Sequence, residues 1–376
     1  MSGRPLTLVM LTSIFMAFSC GGSGNEAEAD LQSVPDTLDI AVSDTIGVLM
    51  GDSAYVFGKI TDASHTMDGG IYILDGIRSR LGAYSGSGRF LGSAGRPGSG
   101  PGEYQYPKSF ALLSDGSMAV CDWGGISVTY LTPDLEFDTL LTGYRHIAPD
   151  RIVPCPEGSF IGMTLEYGIE DDEPVGETQL ARFDRNTEPQ FIYCAFPMRF
   201  SVDEDGDLNV HTVNMTWDTG PDGSLFMARR NDSTWSFTGY GMDGDTIMTV
   251  SRQWERVPKS QEELEEGLVH ETLSTSTETG NTVNRDRMME GFPRFRNAIS
   301  SVDVDDLGRI WIGQGWTDVP TFEVYGQSGE MLFVARIPEL EKVRSLSYCF
   351  DNGYLAWDDE PVDYPKVYLL EIPDSM

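Results

Sequence analysis

Basic residues are scarce in this 376-residue chain: 26 Lys and Arg stand against 59 Asp and Glu, a formal net charge of −33. Binding to nucleic acid or to anionic lipid headgroups rests on a field of Lys and Arg, so no nucleic-acid partner is expected. Histidine is scarcer still, with four residues, and the five cysteines show no CxxC or zinc-knuckle spacing. No Gly-x-Ser-x-Gly nucleophile elbow, His-Glu-x-x-His zinc helix or Gly-x-Gly-x-x-Gly dinucleotide fingerprint occurs. The ordinary sequence marks of catalysis are therefore missing. The apolar run at residues 6–18 is too short to span a bilayer and has the length of a secretory h-region. The whole chain, 40% hydrophobic and 11% aromatic, has enough apolar side chains to bury a sizeable core.

Arg4 precedes the apolar run, and Ala17-Phe18-Ser19-Cys20 with a Gly, Ser and acidic stretch follows it. This order reads as an export signal over residues 1–19 and a flexible tether over residues 20–36. The tetrapeptide ending at Cys20 resembles the lipobox of bacterial lipoproteins. That resemblance implies a lipid on Cys20, a membrane anchor in the bacterial cell envelope and, with Gly21 in place of Asp after the Cys, the outer membrane. An ordinary signal peptidase cutting the same bond would leave a soluble secreted protein. Export also puts Cys121, Cys155, Cys194 and Cys349 where disulfides are permitted; one or two bridges and four small buried hydrophobes fit equally well.

A turn followed by an alternating strand recurs six times. The copies are Asp68-Gly69-Gly70-Ile71-Tyr72-Ile73, Asp115-Gly116-Ser117-Met118-Ala119-Val120, Glu157-Gly158-Ser159-Phe160-Ile161, Asp222-Gly223-Ser224-Leu225-Phe226-Met227, Leu307-Gly308-Arg309-Ile310-Trp311-Ile312 and Asn352-Gly353-Tyr354-Leu355-Ala356-Trp357. Each predicts a hairpin, because Gly tolerates the positive φ that a tight turn demands. A second hairpin, an aromatic residue, a polar or Gly turn and an apolar resumption, follows in most copies at residues 84–90, 130–137, 183–191, 240–247 and 325–331. Two hairpins make a four-stranded unit, and such units in series close radially, leaving only short protected edges. The expectation is an all-β, six-bladed β-propeller of four-stranded antiparallel blades over residues 37–376. Successive repeat glycines are 47, 42, 65, 85 and 45 residues apart, so the two long gaps hold insertions. The larger, residues 259–297, lies before blade 5 and is expected to be partly helical. In it Ser260 and Glu263 form a capping box, Leu264, Leu268 and Val269 share a helix face, and residues 285–289 suggest a second turn of helix. This insertion is either a lid over one mouth of the propeller or a surface excursion. The sixth copy ends without an outer strand, and residues 38–42 are expected to supply it and close the ring.

The stretch Gly92-Ser93-Ala94-Gly95-Arg96-Pro97-Gly98-Ser99-Gly100-Pro101-Gly102-Glu103-Tyr104-Gln105-Tyr106-Pro107 contains a Gly-x-Gly-Pro-Gly-Glu-aromatic-x-x-Pro core. It resembles the signature of six-bladed β-propeller lipoproteins of bacteria, relatives of NHL-repeat proteins, and Gly291-Phe292-Pro293-Arg294-Phe295 is similar to that family's fifth blade. The resemblance implies the fold over residues 37–372 and assigns no chemistry. The same Gly-rich loop lacks the Gly-Lys-Ser/Thr ending of a phosphate cradle. It reads as the crossing from one blade to the next, with Glu103 accepting backbone amides.

Candidate site residues come from the segments leading into the inner strands. Lys108, Arg145, Arg151, Arg294, Arg296 and Arg344 gather there with His146 and His211, each His twelve residues before its repeat glycine. A basic funnel in an acidic shell would focus an anionic small molecule or carboxylated glycan, unless these cations are consumed in ion pairs with Asp150, Glu103 and Glu341. The leading expectation is a non-enzymatic binding module without a cofactor, holding a ligand or an envelope protein. The alternative is a metal-dependent lactonase or lyase, with Glu103, Asp150 and Asn214 converging on one calcium or zinc ion. A purely structural role in an envelope complex would show exposed aromatic residues on one face. Calcium in the acidic stretches at residues 166–177 and 203–207 lacks EF-hand spacing; solvated hairpin tips are the alternative.

Overall fold

The structure is a computed structural model that describes residues 36–66, 68–171, 173–202, 208–265, 267–268, 292–343, 345–358 and 363–372. Six antiparallel four-stranded blades follow one another. Blade 1 runs Ile60–His65, Ile71–Asp75, Arg80–Tyr84 and Phe90–Ala94; blade 2 runs Pro107–Leu112, Met118–Asp122, Ser127–Leu131 and Phe137–Thr142. Blade 3 runs Asp150–Cys155, Ser159–Glu170, Glu173–Phe183 and Phe191–Pro197, and blade 4 Met215–Thr219, Leu225–Arg229, Trp235–Tyr240 and Thr246–Arg252. Blade 5 runs Ile299–Val304, Ile310–Gln314, Thr321–Tyr325 and Met331–Arg336, and blade 6 Leu346–Cys349, Tyr354–Asp358, Val367–Glu371 and Ala41–Ile46. The first strand of each blade touches that of the next, and blade 6 returns to blade 1, so the chain forms a closed six-bladed β-propeller.

The N-terminal segment closes the ring with a shifted division of labour. Ala41–Ile46 is the outer strand of blade 6, antiparallel to Val367–Glu371. Thr37–Asp39 instead adds a fifth, parallel strand to blade 5, level with Val334 to Arg336. Residues 38–42 thus straddle two blades, joined where the Ile40 amide bonds the Arg336 carbonyl at 2.7 Å.

The turns show why the repeat reads as it does. In residues 85–89, 113–117, 220–224, 241–245, 305–309 and 326–330 the first amide bonds the fifth carbonyl and the fourth amide bonds back to the first. This is a three-residue hairpin loop whose fourth position is left-handed. Glycine fills it at Gly88, Gly116, Gly223, Gly244, Gly308 and Gly329, with φ between 70° and 88°. The turn's acid completes it: Asp115 and Asp222 each accept the amide of the Ser two residues on, at 2.9 and 3.0 Å.

Hydrophobic side chains fill the spaces between neighbouring blades. Trp235 and Phe237 of blade 4 pack on Tyr325 of blade 5, while Trp311 of blade 5 meets Phe350 at the edge of blade 6. Two faces result, and they differ. Where the inner strands end, connections are the short turns just described. Where the inner strands begin, blade 3 projects a hairpin with strands of 12 and 11 residues against the usual 5 to 7, a second hairpin pairs Arg199–Val202 with Leu208–His211, and the insertion before blade 5 emerges. The gap between the third and fourth repeat glycines is thereby accounted for.

Candidate functional site

The inner strands enclose a cavity of about 950 Å³ that runs along the propeller axis, within the size range of ligand pockets. Its walls follow from strand geometry. Side chains alternate along a strand, and the residues seven positions before the repeat glycines, Asp62, Ser109, Arg151, Thr216, Ser301 and Leu346, hold equivalent places on the six inner strands, all but Thr216 lining the cavity. Bulges where the inner strands of blades 1, 2, 3 and 5 begin turn consecutive residues to the same side. This is how Lys108 joins Ser109, and Asp150 joins Arg151, whose own φ is 46°.

Three of these residues also staple the blades. Asp62 accepts the amide of Phe110 at 2.8 Å, Ser109 that of Ile152 at 3.0 Å, and Thr216 that of Val302 at 3.1 Å. Each innermost strand is a sheet edge whose outward amides would otherwise lack partners; in blades 2, 3 and 5 the preceding blade supplies one. Arg151 reaches across to Thr216 with a 3.0 Å bond and lies over the Trp217 ring.

Deeper in the channel the chemistry turns acidic. Asp218 accepts the amides of Thr219 and Val304, both at 2.8 Å. Burial and the neighbouring Asp303 carboxylate push its carboxyl up to about 7, against the pull of those amides and of Arg151. Asp303 is raised to about 6 by burial, opposed by Arg151 and by a hydrogen bond from the Ser301 hydroxyl. Burial and the Asp306 carboxyl raise Asp351, and burial raises Asp150 against the attraction of Lys108 and Arg151. Protons therefore neutralise part of the acidic wall near neutral pH.

Of the residues singled out from sequence, Lys108, Asp150, Arg151 and Asn214 line the cavity. Lys108 sits 4.6 Å over the Tyr106 ring and 5.0 Å over that of Trp123. The other candidates lie elsewhere. Arg145 and His146 reach Glu166 on the long hairpin of blade 3, and His146 stacks 3.9 Å from the Tyr167 ring. His211 bonds Ser201 in its own hairpin at 2.9 Å. Both histidines stand on the connections of the face bearing the mouth, since twelve residues before the glycine falls ahead of the inner strands, and neither lines the cavity. Arg296 is engaged by Glu263 at 2.7 Å, Asp318 at 3.1 Å and the Trp316 carbonyl, an ion-paired cation whose partners are not the expected Asp150, Glu103 or Glu341. Arg344 and Cys20 lie outside the described residues.

Glu103 sits in the blade 1 to blade 2 crossing, where it accepts the Gly100 amide at 2.9 Å and pairs with Arg96 at 2.8 Å. Those contacts hold its carboxyl below the usual range. It does not line the channel with Asp150 and Asn214, and among the described residues no three His, Cys, Asp or Glu side chains group as metal ligands. Cys121, Cys155, Cys194 and Cys349 are all free thiols. The acidic residues 166–171 and 173–177 form the tip of the blade 3 hairpin, where Glu166 faces Glu177 and Glu170 faces Glu173; residues 203–207 lie outside the described residues.

The insertion's helix begins at residue 261, capped as its sequence predicts: the Ser260 amide donates to Glu263 at 2.8 Å and the Glu263 amide to the Ser260 hydroxyl at 3.2 Å. Leu264 and Leu268 pack on Phe292. Lys259, Glu263 and Phe292 belong to the cavity wall, so this part of the insertion stands at the mouth. Val269 and residues 285–289 lie outside the described residues. Sequence reasoning missed Lys59, Arg230 and Lys259, together with Asp62, Asp218, Asp303 and Asp351, all of which line the cavity. Counting seven residues back from each repeat glycine, then every second residue, would have found Asp62, Asp218 and Asp303.

A family model described as a 6-bladed beta-propeller matches residues 55–137. A structure described as an exported protein of Bacteroides fragilis NCTC 9343 superposes with a TM-score of 0.52 at 14% identity, over 90% of this chain and 100% of that one. A member of the duf4221 family from Bacteroides vulgatus ATCC 8482 gives 0.48 at 7% identity, over 89% and 98% of the chains. Virginiamycin B lyase from Staphylococcus aureus gives 0.46 at 10%, over 88% and 99%. No curated protein matches. At these identities the likeness is one of fold, and the chain is a six-bladed β-propeller.

Proposed function

We propose that this chain is an exported, lipid-anchored binding module of the bacterial envelope, whose ligand is an anionic small molecule or carboxylated glycan held in the central channel. The observation that carries this reading is the composition of the cavity wall: Lys59, Lys108, Arg151 and Arg230 enter it from blades 1 to 4 and Lys259 from the insertion. In a chain of net charge −33, five cations share this cavity with the carboxyls of Asp62, Asp150, Asp218, Asp303, Asp351 and Glu263; four of those, Asp150, Asp218, Asp303 and Asp351, are pushed toward the neutral form by burial, which leaves the cavity far richer in positive charge than the chain as a whole. The long connections frame that same mouth, as loops carrying function do on a rigid scaffold.

The path of the N-terminal strand supports the anchor. Thr37–Asp39 runs parallel to the outer strand of blade 5, toward the face bearing the mouth. Thr37 thus lies toward the opposite face, and an anchor attached on that side would leave the channel open to the ligand. The Bacteroides fragilis structure of similar fold is described as exported, in keeping with this reading and with the lipoprotein-like signature.

The test is calorimetric titration of the purified protein with citrate, D-glucuronate and a galacturonate trisaccharide, at low salt. At least one binds, and Lys108→Ala or Arg230→Ala weakens it by about tenfold, the order expected for one charged hydrogen bond. No binding by any of the three, or binding indifferent to both substitutions, overturns the proposal. Anchoring is tested separately by radiolabelled palmitate: label is incorporated into the full chain and lost in Cys20→Ser.

A further inference from the structure

Two carboxyls of the channel share one guanidinium. Asp218 stands near the end of the inner strand of blade 4, and its Oδ2 accepts the Val304 amide of blade 5 at 2.8 Å, which sets it beside Asp303. Val302 and Val304 belong to the hydrophobic layer between blades, so by strand alternation Asp303 faces the other way. Both acids line the cavity. Arg151 of blade 3 bonds Thr216, two residues before Asp218, at 3.0 Å, and its charge acts on both carboxyls. The Thr219 amide on Asp218 and the Ser301 hydroxyl on Asp303 complete the arrangement.

One guanidinium between two ionised carboxylates leaves an uncompensated negative charge in a buried place, for Asp303 is 2% exposed. Carboxyls sharing such a site hold a proton between them and titrate as a pair. Burial and the charge of Asp303 raise Asp218 to about 7, and burial raises Asp303 to about 6. Around the pair stand Lys59 and Asp62 from blade 1, Lys108 from blade 2, Asp150 from blade 3 and Arg230 from blade 4, with Tyr348, Cys349 and Asp351 from blade 6 and Lys259 and Glu263 from the insertion. Cys349, kept a thiol by burial, and Asp351, bonded to Asp306, both feel the charge of Asp218. His65, in the field of Asp306, is held below its usual range by burial. An anion that enters this cavity draws on the positive charge of Arg151 and brings its own negative charge into the same low-dielectric space. Its binding therefore favours the protonated pair, and by reciprocity the protonated pair favours the anion.

We propose that the channel takes up its anion together with one proton, which the pair of Asp218 and Asp303 holds, so that a singly charged ligand enters without changing the net charge of the channel. The inference rests on the proposed function above and deepens it by stating how that site is regulated. The proton comes from solvent and adds to a carboxylate oxygen of the pair; the ligand itself is unchanged. A ligand that raises the proton affinity of the pair binds best where the pair is already protonated. Affinity is therefore full at acidic pH and falls as pH rises above the range, about 6 to about 7, in which the free pair titrates.

The experiment is titration calorimetry of the intact protein with D-glucuronate and a galacturonate trisaccharide, acids ionised throughout, at pH 5.5 and pH 8, and at pH 7 in two buffers of different ionisation enthalpy. At least one ligand binds about tenfold or more tightly at pH 5.5 than at pH 8, and the buffer dependence of the enthalpy at pH 7 gives an uptake of about half a proton or more. Asp303→Asn leaves Arg151 with a single carboxylate and reduces the pH ratio to under about threefold. Proton uptake is read on the unsubstituted protein, so it tests the proposal even where this variant does not fold. Equal affinity at the two pH values, binding without proton uptake, or a pH ratio that survives Asp303→Asn overturns this inference alone. Absence of binding by both acids at both pH values overturns the parent reading as well.

Discussion

Asp303→Asn should make the protein's stability less sensitive to pH. Asp303 is 2% exposed, and burial lifts its carboxyl from 3.8 to about 6 despite Arg151 and the Ser301 hydroxyl. A carboxyl with a raised pKa binds its proton more tightly in the folded state. Its contribution to stability is therefore full below about pH 3.8 and is lost as pH rises through about 6. A shift of this size corresponds to a loss of about 3 kcal/mol between those limits. Asparagine keeps the shape without the titration. Urea unfolding followed by tryptophan fluorescence at pH 4.5 and pH 8 supplies ΔG for both proteins. The wild type should lose about 2–3 kcal/mol more than Asp303→Asn over that interval. Asp218 titrates nearby at about 7 and is itself raised by Asp303, so the substitution also lowers its pKa and widens the difference. If both proteins lose stability in parallel, Asp303 is not a buried charge, and the argument about the channel's acidic wall is wrong.

Thr216→Val removes the acceptor for the Val302 amide and the partner of Arg151; the same urea assay should show a loss of about 1–3 kcal/mol, while Thr249→Val on the blade surface should cost under 1. Gly95→Ala should destabilise by about 3 kcal/mol or more, because φ is +91° and an added Cβ would lie 2.4 Å from the Tyr104 ring; a melting temperature within 1 °C of wild type would contradict this. Glu263→Ala breaks both the capping box and the link to Arg296. Limited proteolysis should then cut the insertion several-fold faster while the blades stay resistant, and cleavage at the wild-type rate would show that this pair does not hold the insertion at the mouth.

The part of this protein legible in its sequence is the part governed by local rules. The left-handed position of a hairpin turn selects glycine whatever surrounds it, so the spacing of Gly116, Gly223 and Gly308 counts blades, and Ser260 with Glu263 marks a helix start that the structure reproduces. The cavity wall was less legible. Arg145, Arg151 and Arg296 look alike in sequence, yet one pairs with Glu166 on a hairpin, one lines the channel and one clasps Glu263. What separates them is a bulge, a strand's parity and the position of a partner far away in the chain. The split of the N-terminal segment between blades 5 and 6 belongs with these, since parallel and antiparallel pairing both suit a short alternating segment.

Sequence by itself determined that this is a radial all-β protein of strongly acidic composition with two insertions, because turn chemistry, composition and repeat spacing act over a few residues. Only the tertiary structure decided which face carries the long connections, which cations and carboxylates meet across the axis, and which inner strands are stapled to the blade before them. Those outcomes depend on closing six blades into a circle. That closure brings residues dozens to hundreds of positions apart within hydrogen-bonding distance and raises the cost of every polar atom it leaves unpaired.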